Sequence, residues 1–165
     1  RKRKRTLVCA AAAFCAKPRE GLKLLQAEGV FTPGPLDARE VAEFLRSAPG
    51  LDKAAIGSYL GEAGAKDGSG VDRAAHDQLH QANTAEFHAQ VLTAFVKTFD
   101  FRGQGILASL RMFLEAFRLP GEAQQIDRVL HAFAQRAYRD CLEAARGMLA
   151  SPDVAYLLSF SVVRI

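Results

Sequence analysis

The residue whose setting points most clearly to chemistry is Glu122, which directly follows Pro120-Gly121 between two apolar segments. A glutamate at the start of a helix interacts favourably with the helix dipole, by roughly 0.3–1 kcal/mol. The same carboxylate, held out on a stiff corner with little side-chain bulk, can instead enter a positively charged site of a partner. Residue types alone leave both interpretations of Glu122 open.

A second candidate site is the pair His76 and His80 within the string HDQLH. This spacing places two imidazoles on one face of a helix, as in zinc sites. The metalloprotease motif needs a glutamate after the first histidine, whereas this chain has Asp77 there. Glu86 and His88 lie nearby, but no convincing third ligand follows. We therefore expect no metal site and interpret the two histidines as solvated residues of a surface segment.

No other motif indicates catalysis or cofactor binding. The sequence contains no Gly-rich phosphate loop, no GxSxG turn and no Cys-His pair with supporting context. We therefore expect the chain to act without a cofactor.

Length and composition indicate one globular domain. The 165 residues are 49% hydrophobic and 24% charged, which is the composition of a chain that buries a normal core. The net charge of +4 depends on the RKRKR run at residues 1–5, and the remainder is near neutral. We therefore expect no nucleic-acid surface on the body of the domain. Cys9, Cys15 and Cys141 lack CxxC spacing, which argues against a disulfide framework and fits a reducing compartment.

The first residues, RKRKRTLVCAAAAFCAK, share features with a signal peptide. Because the apolar run is rich in alanine and the chain begins with arginine, we interpret the sequence as an excerpt of a longer one. The run is also shorter than the roughly 20 residues of a membrane span. We interpret the basic residues 1–5 as a solvated tail, with a nuclear-import signal or a patch for anionic lipid as the alternatives.

The elements around these sites are predicted to be helical. Asp37 with Glu40 forms a capping-box pattern at one helix start, Asp52 begins another helix, and Thr84 is a candidate N-cap. Apolar residues then recur at helical spacing in three segments broken by glycine and proline. These stripes are Phe87, Val91, Phe95 and Phe99; Leu107, Leu110, Leu114 and Phe117; and Ile126, Val129, Leu130, Phe133 and Ala137.

Two further segments complete the prediction of an all-α fold. Residues 64–83 are small and polar, with few apolar anchors, so we interpret them as a flexible surface insertion. The final segment, VAYLLSFSVVRI, contains β-branched valines, but a lone strand would have no pairing partner. We therefore expect it to be a helix.

A long string around Glu122 carries a family resemblance. FRLPGEAQQIDRVLHAFAQR, residues 117–136, closely resembles the first signature of the Sec-seven catalytic domain of guanine-nucleotide exchange factors for Arf-family small GTPases. Further similar stretches are KPREGLKLL, VAEFLRSAPGLDKAAIGSYLGE, VLTAFVKTFDF and AYLLSFSVV. The resemblance implies an all-α right-handed helical superhelix. It also implies that residues 1–165 are a partial domain, because the family continues with further helices beyond the position of Ile165.

The resemblance assigns a function and a set of site residues. It implies that Glu122 is the "glutamic finger" that enters the nucleotide site of a GDP-bound Arf-type GTPase and displaces the magnesium ion and the β-phosphate. Such a protein promotes nucleotide exchange without covalent chemistry, in the cytoplasm at the periphery of Golgi or endosomal membranes. The residues that would bind the GTPase are Gln125, Ile126, Asp127, Phe160, Ser161, Val163 and Arg164.

Two departures from the family pattern leave a second hypothesis open. Arg164 places a charge where the family has an apolar residue, and the second family signature would follow the position of Ile165. The alternative is therefore a truncated, catalytically incompetent fragment that binds a GTPase or serves as a scaffold.

Overall fold

The computed structural model describes residues 2–63, 84–141 and 149–163. These residues form eight helices and no sheet, so the prediction of an all-α fold is confirmed for the part described. The predicted insertion at 64–83, including His76 and His80, lies outside the described residues. The helices are α1 (Lys2–Ala16), α2 (Pro18–Ala27), α3 (Ala38–Ser47), α4 (Lys53–Gly61), α5 (Ala85–Lys97), α6 (Ile106–Leu114), α7 (Ala123–Cys141) and α8 (Pro152–Val163).

Side-chain caps set two of the helix starts that the sequence predicts. Asp37 Oδ1 accepts a hydrogen bond from the backbone N–H of Arg39 at 2.7 Å, and Thr84 Oγ1 accepts one from Phe87 at 3.2 Å. The other half of the predicted capping box does not form, because the carboxylate of Glu40 accepts from the backbone N–H of Thr32 at 3.1 Å instead. Glu40 therefore fastens the preceding loop to α3 rather than capping the helix.

Two aromatic clusters form the core. In the first, the ring of Phe14 on α1 makes edge contacts with Phe44 on α3 and Tyr59 on α4, with centroids 5.7 and 5.2 Å apart. The second, larger cluster joins α5, α6 and α7. Its members are Phe95, Phe99, Phe101, Phe113, Phe117 and Phe133, each at most 3% exposed.

The helices pack in pairs around α7. α1 lies against α2, α3 against α5, and α8 against α7, while α7 also contacts α4, α5 and α6. The stripe predicted for α6 is partly wrong, because Leu107 is 59% exposed whereas Leu110 and Phe113 are buried. The buried face of α6 is thus rotated away from Leu107, toward the rings of the second cluster.

The basic residues at the start of the chain are part of a helix. Lys2–Arg5 form the first turn of α1, and all four side chains are exposed, so they are solvated but not an unstructured tail. Within the ranges that the structure describes, no helix has the length and apolar character needed to cross a membrane.

Candidate functional site

Glu122 occupies an exposed corner between α6 and α7. Its backbone carbonyl accepts the N–H groups of Gln125 at 3.1 Å and Ile126 at 3.0 Å, so Glu122 is the residue at which α7 begins. Among the residues the structure describes, no side chain pairs with its carboxylate. The two interpretations of Glu122, as a favourable charge at a helix start and as a charge available to a partner, are therefore compatible. Its carboxylate lies at the N-terminus of α7 and has no partner among the described residues.

Helix α4 holds the backbone of the loop that ends in Glu122. The N–H of Arg118 donates to the carbonyl of Lys53 at 2.9 Å. The carbonyl of Arg118 lies so close to Gly57 that a Cβ atom there would be 1.7 Å from the oxygen. Only a residue without a side chain allows this approach of loop to helix. The corner is therefore fixed by backbone contacts, which long side chains cannot provide with the same rigidity.

The end of α4 supplies a second contact with the same corner. A Cβ atom on Gly61 would lie 3.0 Å from the ring of Pro120 and 2.9 Å from Cβ of Gln125. The guanidinium of Arg128, one turn further along α7, donates to the carbonyl of Gly61. A cation at a helix C-terminus is electrostatically favourable, so this bond also links α7 to α4.

The remaining residues assigned by resemblance that the structure describes lie on α7 and α8. Asp127 and Phe160 both contact the side chain of Tyr156, and Ile126 and Val163 are half-buried on the same two helices. Gln125 lies against Gly61, so it is part of the contact between α4 and the corner at Glu122. The exposed Ser161 donates its hydroxyl to the carbonyl of Leu157 on its own helix, at 2.8 Å. Arg164 lies outside the described residues.

Tyr156 on α8 connects these residues, and the sequence analysis did not single it out. Its hydroxyl donates to Oδ1 of Asp127, and its ring stacks on His131 with centroids 3.9 Å apart and planes 7° from parallel. The ring of Phe160 follows at 5.7 Å. The hydrogen bond to the carboxylate of Asp127 raises the pKa of Tyr156. Tyr156 lies in the string AYLLSFSVV, but its contact with Asp127 on α7 could not be predicted from neighbouring residues in the sequence.

A further cluster of titratable groups lies between α4 and α5, where His88 and Tyr59 are buried and the side chain of Glu62 is 45% exposed. His88 is 3% exposed, with its Nε2 3.7 Å from a carboxylate oxygen of Glu62 and its ring 4.8 Å from that of Tyr59. Burial lowers the pKa of His88 and raises the pKa values of Glu62 and Tyr59. Each shift favours the uncharged form, as expected for groups removed from water. Across residues 2–63, 84–141 and 149–163, no three His, Cys, Asp or Glu side chains are grouped to hold a metal ion.

Comparison with protein families and curated proteins gives a consistent result. The family model of the Sec7 (Sec-seven) domain matches residues 3–165. The chain is 40% identical over 160 residues to the ARF guanine-nucleotide exchange factor GNOM of Arabidopsis thaliana, an alignment that covers 97% of this chain and 9% of that protein. It is 35% identical over 150 residues to Brefeldin A-inhibited guanine nucleotide-exchange protein 1 of Homo sapiens, an alignment that covers 91% of this chain and 7% of that protein. The chain thus spans a small part of the length of these relatives.

Solved structures with the same fold include two of particular relevance. The crystal structure of the Sec7p catalytic domain is similar with a TM-score of 0.72 and 34% identity, over 94% of this chain and 71% of that one. A structure of ARF1-GDP bound to a Sec7 domain in complex with Brefeldin A is similar with a TM-score of 0.71 and 25% identity, over 99% and 69%.

Proposed function

The chain belongs to the Sec7 domain family, as its sequence predicts, and from this premise we propose that it promotes GDP release from an Arf-type small GTPase. The observation that carries the proposal is the exposed carboxylate of Glu122 on a corner seated on α4. The names of the similar proteins and the similar structure with ARF1-GDP support the same partner.

Electrostatics explains how one carboxylate can release a nucleotide. A small GTPase holds GDP through a lysine, a magnesium ion and backbone N–H groups, all of which attract negative charge. Glu122 competes for the lysine and repels the β-phosphate and so displaces the metal ion. At about 4 Å and an effective dielectric constant near 20, one like-charge contact amounts to roughly 4 kcal/mol. If all of this energy lowers the barrier to GDP release, the release rate rises by a factor on the order of a thousand.

The surface beside Glu122 is the part of the chain that would grip the GTPase. Ile126 and Asp127 lie on α7 and Phe160 and Val163 on α8, and Tyr156 joins the two helices through its hydrogen bond to Asp127. We assign the switch regions of the GTPase to this surface, with Gln125 and Ser161 at its margins. Arg164, which the resemblance also assigns to the GTPase, is not among the described residues. In this proposal the reaction requires no cofactor and no covalent step.

The proposal includes a location. Arf-type GTPases act at membrane surfaces, and the family resemblance supports an exchange factor that acts in the cytoplasm, at the periphery of Golgi or endosomal membranes. We therefore propose peripheral contact with these membranes.

Charge reversal at Glu122 tests the proposal. Glu122→Lys should abolish release of a fluorescent GDP analogue from an Arf protein, because a lysine would attract the phosphates that the glutamate repels. Glu43→Lys is the matched control, since Glu43 is equally exposed but lies on α3 and the change in net charge is the same. The control should release nucleotide at the parent rate.

A binding measurement separates the two hypotheses. Titration of the GDP-bound Arf protein should show that the parent chain and Glu122→Lys both bind, while only the parent accelerates release. Binding by the parent without release would support the incompetent binding fragment. Equal release by the parent and Glu122→Lys would overturn the assignment of the finger, and an absence of both binding and release would overturn the proposed function.

A further inference from the structure

Helix α1 has two faces with different surroundings. Ala10, Ala11 and Phe14 on the inner face are fully buried against the rest of the domain. The outer face is exposed and carries no charge from Thr6 to the end of the helix. Its residues are Val8, which is 44% exposed, and Cys9, Ala12 and Ala16, while Cys15 lies at its edge, where the sulfur accepts a hydrogen bond from the backbone N–H of Asp52 at 3.3 Å. An uncharged exposed helix face of this length is unusual, because such faces are normally polar.

The helix begins with a concentrated positive charge. Lys2, Arg3, Lys4 and Arg5 are all exposed, and no carboxylate of the described residues forms an ion pair with any of them. Basic residues elsewhere do find partners, as Lys23 does with Glu20 at 3.6 Å and Arg102 with Asp100 at 2.7 Å. The first turn of α1 therefore presents four cations that form no ion pair with any residue in the part of the chain that the structure describes.

This combination matches the boundary of an anionic bilayer. A helix that lies on a membrane places basic side chains among the headgroups and uncharged residues toward the acyl chains. Each Lys or Arg near an anionic surface contributes about fivefold to binding, so the charged turn supplies most of the affinity and small residues such as Ala12 allow close approach. We infer that the outer face of α1, together with Lys2–Arg5, is a docking surface for an anionic phospholipid bilayer.

The packing of α1 makes this surface available without any rearrangement. A Cβ atom on Gly21 of α2 would lie 2.6 Å from Cβ of Phe14 and 2.7 Å from the carbonyl oxygen of Ala10, so the two helices are in backbone contact on the inner face. The outer face thus points away from the domain while the inner face remains packed. The inference stands independently of the exchange activity, since none of these residues is among those assigned to the GTPase.

Vesicle sedimentation with the full 165-residue chain tests the inference. The parent should bind phosphatidylcholine vesicles in which about a third of the lipid is phosphatidylserine, and should bind pure phosphatidylcholine weakly. Replacing Lys2, Arg3, Lys4 and Arg5 together with glutamine should lower the partition coefficient on the anionic vesicles by at least about 50-fold. High salt should weaken binding of the parent in the same direction.

A matched variant controls for net charge. Arg39, Lys97, Arg111 and Arg139 are exposed and lie on other helices, so replacing these four with glutamine gives the same net charge without changing α1. This control should keep its binding to anionic vesicles within about threefold of the parent. Val8→Gln should weaken binding by a smaller factor, about threefold, because only one apolar side chain leaves the bilayer. Far-ultraviolet circular dichroism should give the parent helical signal for every variant.

Four results would overturn the inference. They are absence of parent binding to anionic vesicles, equal binding to pure phosphatidylcholine, undiminished binding after the replacement of Lys2–Arg5, and an equal loss in the control variant. Sedimentation of the chain without vesicles that ceases in Val8→Gln would also contradict it, because the outer face would then be a contact between copies of the chain.

Discussion

The corner at Glu122 and the outer face of α1 both present charge to solvent, but they hold it in different ways. At the corner, one carboxylate follows a backbone that is packed directly on Gly57 and Gly61 of α4. On α1, four cations stand on long side chains in the first turn of a helix, with no fixed partner among the described residues. The first arrangement fixes the position of a single charge, and the second provides only a density of charge.

This difference indicates what each surface is suited to recognise. A charge that must enter a defined site has to be held close to its productive position, which requires rigid support. A charge that attracts a broad surface of opposite sign needs no fixed geometry, because the attraction depends on the sum of charges. We therefore expect the corner to be sensitive to small steric changes in its seat, and α1 to respond only to its packing and to its total charge.

The largest effect is expected for Gly57→Ala. The added methyl group would overlap the carbonyl oxygen of Arg118 at 1.7 Å, so the loop must move away from α4. Chemical denaturation should show a loss of about 2–3 kcal/mol in the free energy of unfolding, and nucleotide release should fall by at least about tenfold. Gly105→Ala, where a Cβ atom meets nothing within 4 Å, should leave nucleotide release at the parent rate and cost at most about 1 kcal/mol, because glycine is preferred to alanine at the N-cap of α6. Stability and nucleotide release equal to the parent in Gly57→Ala would show that the position of Glu122 does not depend on the contact between Gly57 and Arg118.

An intermediate effect is expected for Gly21→Ala, which tests the inner face of α1. The new methyl group would press on Phe14 and on the backbone of Ala10, at a cost of about 1–3 kcal/mol that the higher helix propensity of alanine partly offsets. Thermal unfolding should therefore show a lower midpoint. Nucleotide release, measured well below that midpoint, should stay at the parent rate, because α1 contacts α4 through Tyr59, whereas the corner contacts α4 at Gly57 and Gly61. A drop in release at that temperature would show that α1 and the corner are coupled.

The smallest effect is expected for Tyr156→Phe, which removes the hydrogen bond to Asp127 but keeps the stacked ring. The pair is solvent-accessible, so the loss in unfolding free energy should be below about 1 kcal/mol at neutral pH. The pKa of Tyr156 is raised above the model-peptide value of 10.0, chiefly by this bond. Its stabilisation is therefore complete below pH 10.0 and is lost as the pH rises through the pKa of the folded state.

The difference in stability between parent and Tyr156→Phe should thus shrink in alkaline solution. Denaturation at neutral pH and above pH 10 measures it, and Tyr59 titrates equally in both proteins. A difference that stays constant, or grows, with pH would contradict the assigned hydrogen bond.

Local patterns in the sequence predicted much of the fold. The caps at Asp37 and Thr84, the breaks at proline and glycine, and the helical spacing of apolar residues depend on neighbours within about one turn, so they can be read without a tertiary structure. Two predictions were wrong, the capping role of Glu40 and the burial of Leu107, and both errors have the same cause. Glu40 bonds Thr32 and Leu107 faces solvent because the surrounding elements, rather than residue type, decide which partner or face is used.

The helical class, the family and the identity of Glu122 as the residue at the corner could be predicted from the sequence, since a long signature and a Pro-Gly break are local features. How that corner is held, and what lies beside it, depends instead on tertiary contacts. The contact of Gly57 with Arg118 and the bond between Tyr156 and Asp127 each join residues that are far apart along the chain. No spacing rule encodes such pairs, because they depend on how the whole core packs.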